Sequence, residues 1–241
     1  GVEPDDAEAR RWLFAAVGNG SVQALQNLYA LACEREDDAA LTNLYPVVVS
    51  RAEAGVVVAQ MLAARMSSGG LGTGRDPSKA FGWYQKAAAQ DHGPALEAIG
   101  VHYYSTGPDQ DRKKALGFFQ RAAAKGLKDS MGYVAELLLS GEGGVTNVAR
   151  GIEALRQAAE AGSIRAQEDL GTRYQGGRDV STSIVEAIRW YSAVMTNHSW
   201  QGPQHWTGMK LGILYALGDG VARDDAEALK WFQAAAEHDG R

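Results

Sequence analysis

Cysteine is nearly absent from this chain. Cys33 is the only one in 241 residues, so no disulfide can form within it. Long apolar runs are missing too: no stretch reaches the ~18 consecutive apolar residues that a transmembrane helix requires. There is no basic tract, and 24 Lys and Arg stand against 29 Asp and Glu for a net charge of −5. That balance argues against nucleic acid or an anionic membrane as a partner. Signatures of catalysis are lacking as well. The chain has no HExxH, no Gly-x-Ser-x-Gly and no Cys–His pairing that helical periodicity would bring together. Catalytic residues, metal ligands and cofactor-binding residues are therefore all expected to be absent.

What the chain has instead is repetition. Residues 1–20 read GVEPDDAEARRWLFAAVGNG and residues 220–240 read GVARDDAEALKWFQAAAEHDG, with Gly-Val, Asp-Asp-Ala-Glu-Ala, Trp and Ala-Ala in register. The shared frame is a capping residue, a small residue four places on and a bulkier one three places later. It recurs at Asp5/Ala9/Trp12, Asp76/Ala80/Trp83, Asp111/Ala115/Phe118, Asn147/Gly151/Ala154, Ser183/Ala187/Trp190 and Asp224/Ala228/Trp231. Asp, Asn and Ser accept hydrogen bonds from the free N–H groups that open a helix. Ser183 with Glu186 has the spacing of a capping box, and Pro77 stands where a first helical residue tolerates proline. Gly20, Gly93, Gly126, Gly162 and Gly240 follow the blocks and are read as left-handed helix ends.

Upstream of most blocks lies Ala-x-x-x-Leu-Gly-x-x-Tyr, clearest at Ala166–Leu170–Gly171–Tyr174 and Ala95–Ile99–Gly100–Tyr103. Offsets of four and eight put these residues on one helix face, and the glycine lets a neighbour come close. Each unit is thus a helix A, a glycine-rich turn, a helix B and a tight turn. The bulky positions fall at 12, 44, 83, 118, 154, 190 and 231, at spacings of 32, 39, 35, 36, 36 and 41 residues. A fixed period of this size denotes a helical repeat array.

The period, with Leu-Gly-x-x-Tyr, Gly-x-Gly-Val, Asp-x-x-x-Ala-x-x-Trp and Ala-Ala-x-x-Gly, resembles the Sel-1-like repeat, a relative of the tetratricopeptide repeat. The resemblance covers essentially the whole chain, and the single cysteine sets it apart from the cysteine-stapled members of that family. It implies an all-α, right-handed superhelical solenoid of about 13 helices that acts as an adaptor for another protein or peptide. The expected division is a partial repeat at 1–20 and repeats at about 21–55, 56–93, 94–126, 127–162, 163–198 and 199–241, counted as a single array. The chain opens on a helix B and reads as a segment trimmed from a longer array. A soluble bacterial protein is expected, cytoplasmic, or periplasmic if a leader has been trimmed; oligomeric state is open. Two other roles fit the family: an immunity protein that neutralises an effector enzyme, and a hydrolase acting on an envelope polymer.

Three stretches depart from the pattern. The unit at 21–55 has Glu34–Asp38 in place of a glycine turn, Leu44-Tyr45 in place of Trp-Tyr, and Pro46, which predicts a split or bend at 44–47. The turn at 67–76, SSGGLGTGRD, is glycine-rich like a phosphate-binding loop, but it lacks a preceding strand and the closing Gly-Lys-Ser/Thr, and is read as a linker. Residues 197–207 are an insertion carrying His198, His205, Trp200 and Trp206. Two histidines seven apart with no acidic or thiol companion make a poor metal site. His92 and His238 sit in helix-end turns, where a histidine can meet terminal carbonyls.

Helix geometry then selects a candidate surface. Counting helix A from its small residue, positions one, five and nine face the core, and positions three, seven and ten lie opposite. The latter are Met61, Arg65, Ser68; Glu97, Val101, Tyr104; Gly132, Glu136, Leu139; Glu168, Thr172, Gln175; and Met209, Ile213, Ala216. An apolar strip of Val101, Tyr104, Leu139 and Ile213 flanked by Glu97, Glu136 and Glu168 would suit a peptide or helix with an apolar ridge and basic flanks. Trp200 and Trp206 form a second candidate patch.

Overall fold

The computed structural model describes residues 6–105, 107, 110–196 and 205–239. Among them are thirteen α-helices and no strand. They fall into two compact units, residues 1–109 and 110–241. The first holds α1 (Asp6–Gly18), α2 (Val22–Glu34), α3 (Asp38–Glu53), α4 (Val57–Gly69), α5 (Pro77–Ala89) and α6 (Gly93–Tyr104). The second holds α7 (Arg112–Ala123), α8 (Lys128–Ser140), α9 (Val148–Glu160), α10 (Ile164–Gly176), α11 (Ile184–Met195), α12 (His205–Leu217) and α13 (Asp225–Asp239). Even-numbered helices are the A helices and odd-numbered ones the B helices.

The helix starts follow the capping chemistry. Asp37, Asp76, Asp111 and Asn147 each accept from the backbone N–H three residues on, at 2.9–3.0 Å. Asp224 takes two such bonds, from Ala226 and Glu227. Ser183 accepts from the Glu186 N–H at 3.3 Å, but the box does not close: the Ser183 N–H is spent on the Tyr174 carbonyl, and the Glu186 carboxylate meets Arg189. The same backbone tie recurs in other A–B turns, as Asp76 N–H to Ser67, Asn147 N–H to Leu138 and Asp224 N–H to Tyr215. It fixes where each B helix leaves its A helix. Asp5 and Gly240 lie outside the described residues.

Two expectations are corrected. Gly93 does not end α5 in a left-handed turn; it opens α6, and Asp91, with φ 58°, holds the left-handed place. An Asp tolerates that conformation better than most side chains. Nor does Pro46 split its helix, since α3 runs unbroken over Asp38–Glu53. Leu41, Leu44 and Val48 are fully buried on either side of the proline. Their burial, at about 1.5–3 kcal/mol each, outweighs the lost N–H bond.

The repeated small residues allow helices to interlock. A Cβ on Gly171 would lie 2.5 Å from the Tyr191 ring, and one on Gly212 would lie 2.3 Å from Phe232. Only glycine permits the aromatic of helix B to lie against helix A there. Trp83, Trp190, Phe119 and Tyr191 are buried, as core positions should be. Trp12, in the same frame, is 70% exposed, because no helix A precedes α1 among the described residues.

Candidate partner-binding groove

In the second unit, α8 and α10 lie side by side and enclose a groove of about 390 Å³. Its floor includes Tyr133, Leu139, Leu155 and Ala166. Tyr133 is fixed in place by stacking on the fully buried Phe119, with ring centroids 4.4 Å apart and planes within 9°. A preorganised aromatic of this kind offers contact area at low entropic cost.

Charges of both signs line the rim. Asp129, Glu136 and Asp169 stand among Arg165, Arg173 and Arg178. The Arg165 guanidinium donates to Glu136 across the groove at 3.0 Å, and both groups are exposed. Exposed pairs are worth roughly 0–1 kcal/mol, so an incoming charge can displace this one. Arg173 is different. It is buried, with Nε donating to Asp169 at 2.9 Å and Nη1 to Asp179. Asp179 sits in the turn after α10 at φ 63°, so the guanidinium clasps that turn from inside. Breaking a buried pair leaves uncompensated charge, which makes Arg173 a fixed wall.

Of the residues expected from helix geometry, Gly132, Glu136 and Leu139 line this groove. Glu168 does not. Its carboxylate accepts from the buried Thr207 hydroxyl of α12 at 2.8 Å, while Lys210 donates to Thr172 at 3.4 Å. The Tyr191 hydroxyl lies 3.2 Å from Thr172 and donates to Gln175 at 2.9 Å. The α10–α12 seam is thus occupied by the chain's own polar network. Ile213 and Trp206 are both exposed on α12. Trp206 stands in the first turn of α12, at the register that Arg165 holds in α10, so it faces the surface formed by the A helices. Trp200, His198 and the side chain of His205 lie outside the described residues.

In the first unit, Met61 is buried and so does not reach an open surface. Arg65 is exposed on α4, with no ion pair among the described residues. On α6, Glu97 and Tyr104 are half-buried and Val101 is exposed. His92 caps the backbone before α6 but makes no side-chain capping bond, and its Nδ1 is buried without a partner among the described residues. Burial, and then the Arg65 charge, lower its pKa below the ordinary histidine value. The glycines of the 67–76 turn serve packing: at Gly72, φ 65°, a Cβ would lie 2.2 Å from the Leu41 carbonyl oxygen. Among the described residues no three His, Cys, Asp or Glu cluster in a way that could hold a metal ion.

The residues that helix geometry did not select are Asp129, Tyr133, Arg165, Asp169, Arg173 and Arg178. The signal for most of them was one register away. The groove between two neighbouring A helices also takes positions zero and four: Arg165, Asp169 and Arg173 hold positions zero, four and eight on α10, and Asp129 and Tyr133 hold zero and four on α8 beside Gly132, Glu136 and Leu139.

An array of paired helices, each unit a helix A followed by a helix B, defines a helical-repeat protein. The family model for the Sel1 repeat matches residues 1–21, 57–92, 94–127, 128–163, 164–193 and 209–240, and the chain belongs to the Sel1 repeat family. Repeats of this family mediate protein interaction. Among solved structures, a Sel1 repeat protein from Oxalobacter formigenes is 26% identical, with 90% of this chain and 88% of that one covered at a TM-score of 0.74. A protective antigen of uropathogenic Escherichia coli with an SLR fold is 29% identical over 79% of this chain, at a TM-score of 0.72. This chain spans 40% of that antigen's length. An immunity protein from Pseudomonas aeruginosa is 17% identical over 85% of this chain and 80% of that one at a TM-score of 0.47, too distant to bear on role. The search of curated proteins returned no match. Among the described residues, no helix is long and apolar enough to cross a membrane.

Proposed function

We propose that the protein is a non-catalytic interaction scaffold whose partner seats in the groove between α8 and α10. One observation carries this reading: a cavity of about 390 Å³ joins a fixed Tyr133–Leu139–Leu155 floor to a rim of opposed charges. An apolar floor with a few placed polar groups is the usual composition of a recognition site. With Asp129 and Glu136 on α8 and Arg165 and Arg178 on the α10 side, the rim favours a protein segment carrying an apolar anchor and charges of both signs. It is a poor match for a polyanion. Glu136 is the acidic contact and Arg165 the basic one. Arg65, Glu97, Val101 and Tyr104 are candidates for a contact of the first unit's own.

The test is affinity capture from the native host with the wild-type protein, followed by titration of the captured partner against Tyr133→Ala, Arg165→Glu and Glu136→Lys. Each variant should weaken binding about tenfold or more with helical circular dichroism unchanged. A partner that binds all three as it binds wild type would remove the groove from consideration. Capture of one stoichiometric enzyme whose activity the protein abolishes would replace the scaffold reading with an inhibitory one. Turnover of an envelope polymer by the purified protein would make it an enzyme.

A further inference from the structure

One B helix breaks the repeat at its bulky position. The frame places Trp83, Phe118, Trp190 and Trp231 there, but Ala154 in α9. Trp83 and Trp190 are buried where they stand. Trp190 shares a core cluster with Ala159 and Leu170, and Tyr174 packs against it. One period of 36 residues earlier, the counterparts of those three are Ala123, Val134 and Leu138. With Met131 and Ala154 they line a hollow of about 380 Å³ between α7 and α9. The space that an indole takes in the next repeat is therefore open in this one. Six helices precede α7 in the chain and four follow α9, so the opening is not set by where the sequence begins or ends. The hollow lies within the second unit and shares no residue with the α8–α10 groove.

We propose that this hollow binds an aromatic side chain, above all an indole, carried by a segment of a partner protein. The chemistry of the occupant is written in the repeats that carry their own. The rings of Trp83, Trp190 and Trp231 each have a cation near the face, Lys86 at 4.1 Å, Arg189 at 5.1 Å and Lys230 at 5.2 Å. Beside Ala154, Arg150 lines the hollow and offers an incoming ring the same contact. Glu153 and Gln157 add acceptors for an indole N–H. In Trp83, Trp190 and Trp231 that N–H is buried without a partner among the described residues, so an incoming indole gains a bond that the built-in ones lack. An aliphatic anchor would use the floor but neither the cation nor the acceptors. Tryptophan is also the side chain from which a small buried contact draws most affinity.

The test is a methyl NMR titration of the whole protein with N-acetyl-tryptophanamide, which mimics a chain-borne indole. The Met131, Val134 and Leu138 methyl groups should shift, whereas N-acetyl-leucinamide at the same concentrations should leave them in place. None of these three lines the α8–α10 groove, so the result is independent of what that groove binds. Ala154→Trp should supply the missing ring from within, raising the melting temperature and abolishing the shifts. Ala123→Leu fills the same hollow from α7 and should weaken the probe about tenfold or more, so the outcome does not rest on one variant folding. Arg150→Glu should weaken it about threefold, as loss of an exposed cation–π contact does. Shifts that are absent in wild type, equal with the leucine probe or unchanged in Ala123→Leu overturn the proposal. Free indole binding more tightly than N-acetyl-tryptophanamide overturns the partner segment and gives the site to a small molecule.

Discussion

The pair α2–α3 and the pair α10–α11 have the same place in the repeat, yet different chemistry holds them together. In α10, Gly171 opens a space that the Tyr191 ring fills, and the Tyr191 hydroxyl bonds back to Gln175 and Thr172 of α10. In α2 the glycine position is taken by Tyr29, so the aromatic of α3 cannot enter. Tyr45, the counterpart of Tyr191, turns instead to the Ser67 hydroxyl of α4, 3.1 Å away. Buried Leu25, Leu28, Leu41, Leu44 and Val48 supply the packing that glycine and tyrosine supply later. The family model passes over this stretch, leaving residues 22–56 outside its matched ranges. What the comparison teaches is that the family signature reports one way of interlocking two helices, while the helix pair itself tolerates another.

Substitutions separate the two modes of packing. The largest effect is expected for Leu44→Ala, which removes a side chain with no exposed surface. It should cost about 3 kcal/mol in denaturant unfolding. A loss under about 1 kcal/mol would mean that aliphatic packing does not hold α2–α3. Gly171→Ala comes next, since its methyl would stand 2.5 Å from the Tyr191 ring. We expect about 2 kcal/mol from overpacking, largely recovered in a Gly171→Ala/Tyr191→Leu double variant. Additivity of the two changes would contradict the interlock.

Arg173→Met keeps the buried volume but leaves Asp169 and Asp179 without their guanidinium. Both carboxylates keep access to water, so the cost should be smaller, about 1–2 kcal/mol by thermal unfolding. An unchanged melting temperature would show that the clasp adds nothing.

The smallest effects are in the titration of Tyr29 and Tyr45, two of the first unit's tyrosines. Burial pushes Tyr29 up to about 12, aided by its hydrogen bond to Cys33. Burial also acts to raise Tyr45, but hydrogen bonds from Ser67, Lys79 and Thr73 and the Lys79 charge outweigh it and bring the phenol below its ordinary value. Tyr29 therefore contributes stability that is full below pH ~10 and lost as pH rises toward ~12, while Tyr45 contributes stability that is present above pH ~10 and lost as pH falls through its lowered value. In an absorbance titration, Tyr29→Phe should remove one of the late phenols to ionise and Tyr45→Phe one of the early ones. The reverse order would overturn the packing described for α2–α3.

Sequence alone determined the period, the alternation of A and B helices and most of their starting points, because these obey rules that act within about ten residues. Asp76, Asp111 and Asn147 cap where they were expected to, and Gly171 admits an aromatic ring. Tertiary structure alone decided which flank of each helix is covered. Trp12 and Trp190 share a frame, yet one faces water and the other is buried. Glu136 and Glu168 were both assigned to the groove, yet α10 brings Arg165 to the first and α12 brings Thr207 to the second. Pro46 reads as a break, yet Leu44 and Val48 carry the helix through it. For the two glutamates the deciding partner lies on another helix, 29 and 39 residues away. No local rule reaches that far, because the contact exists only once neighbouring helices have packed.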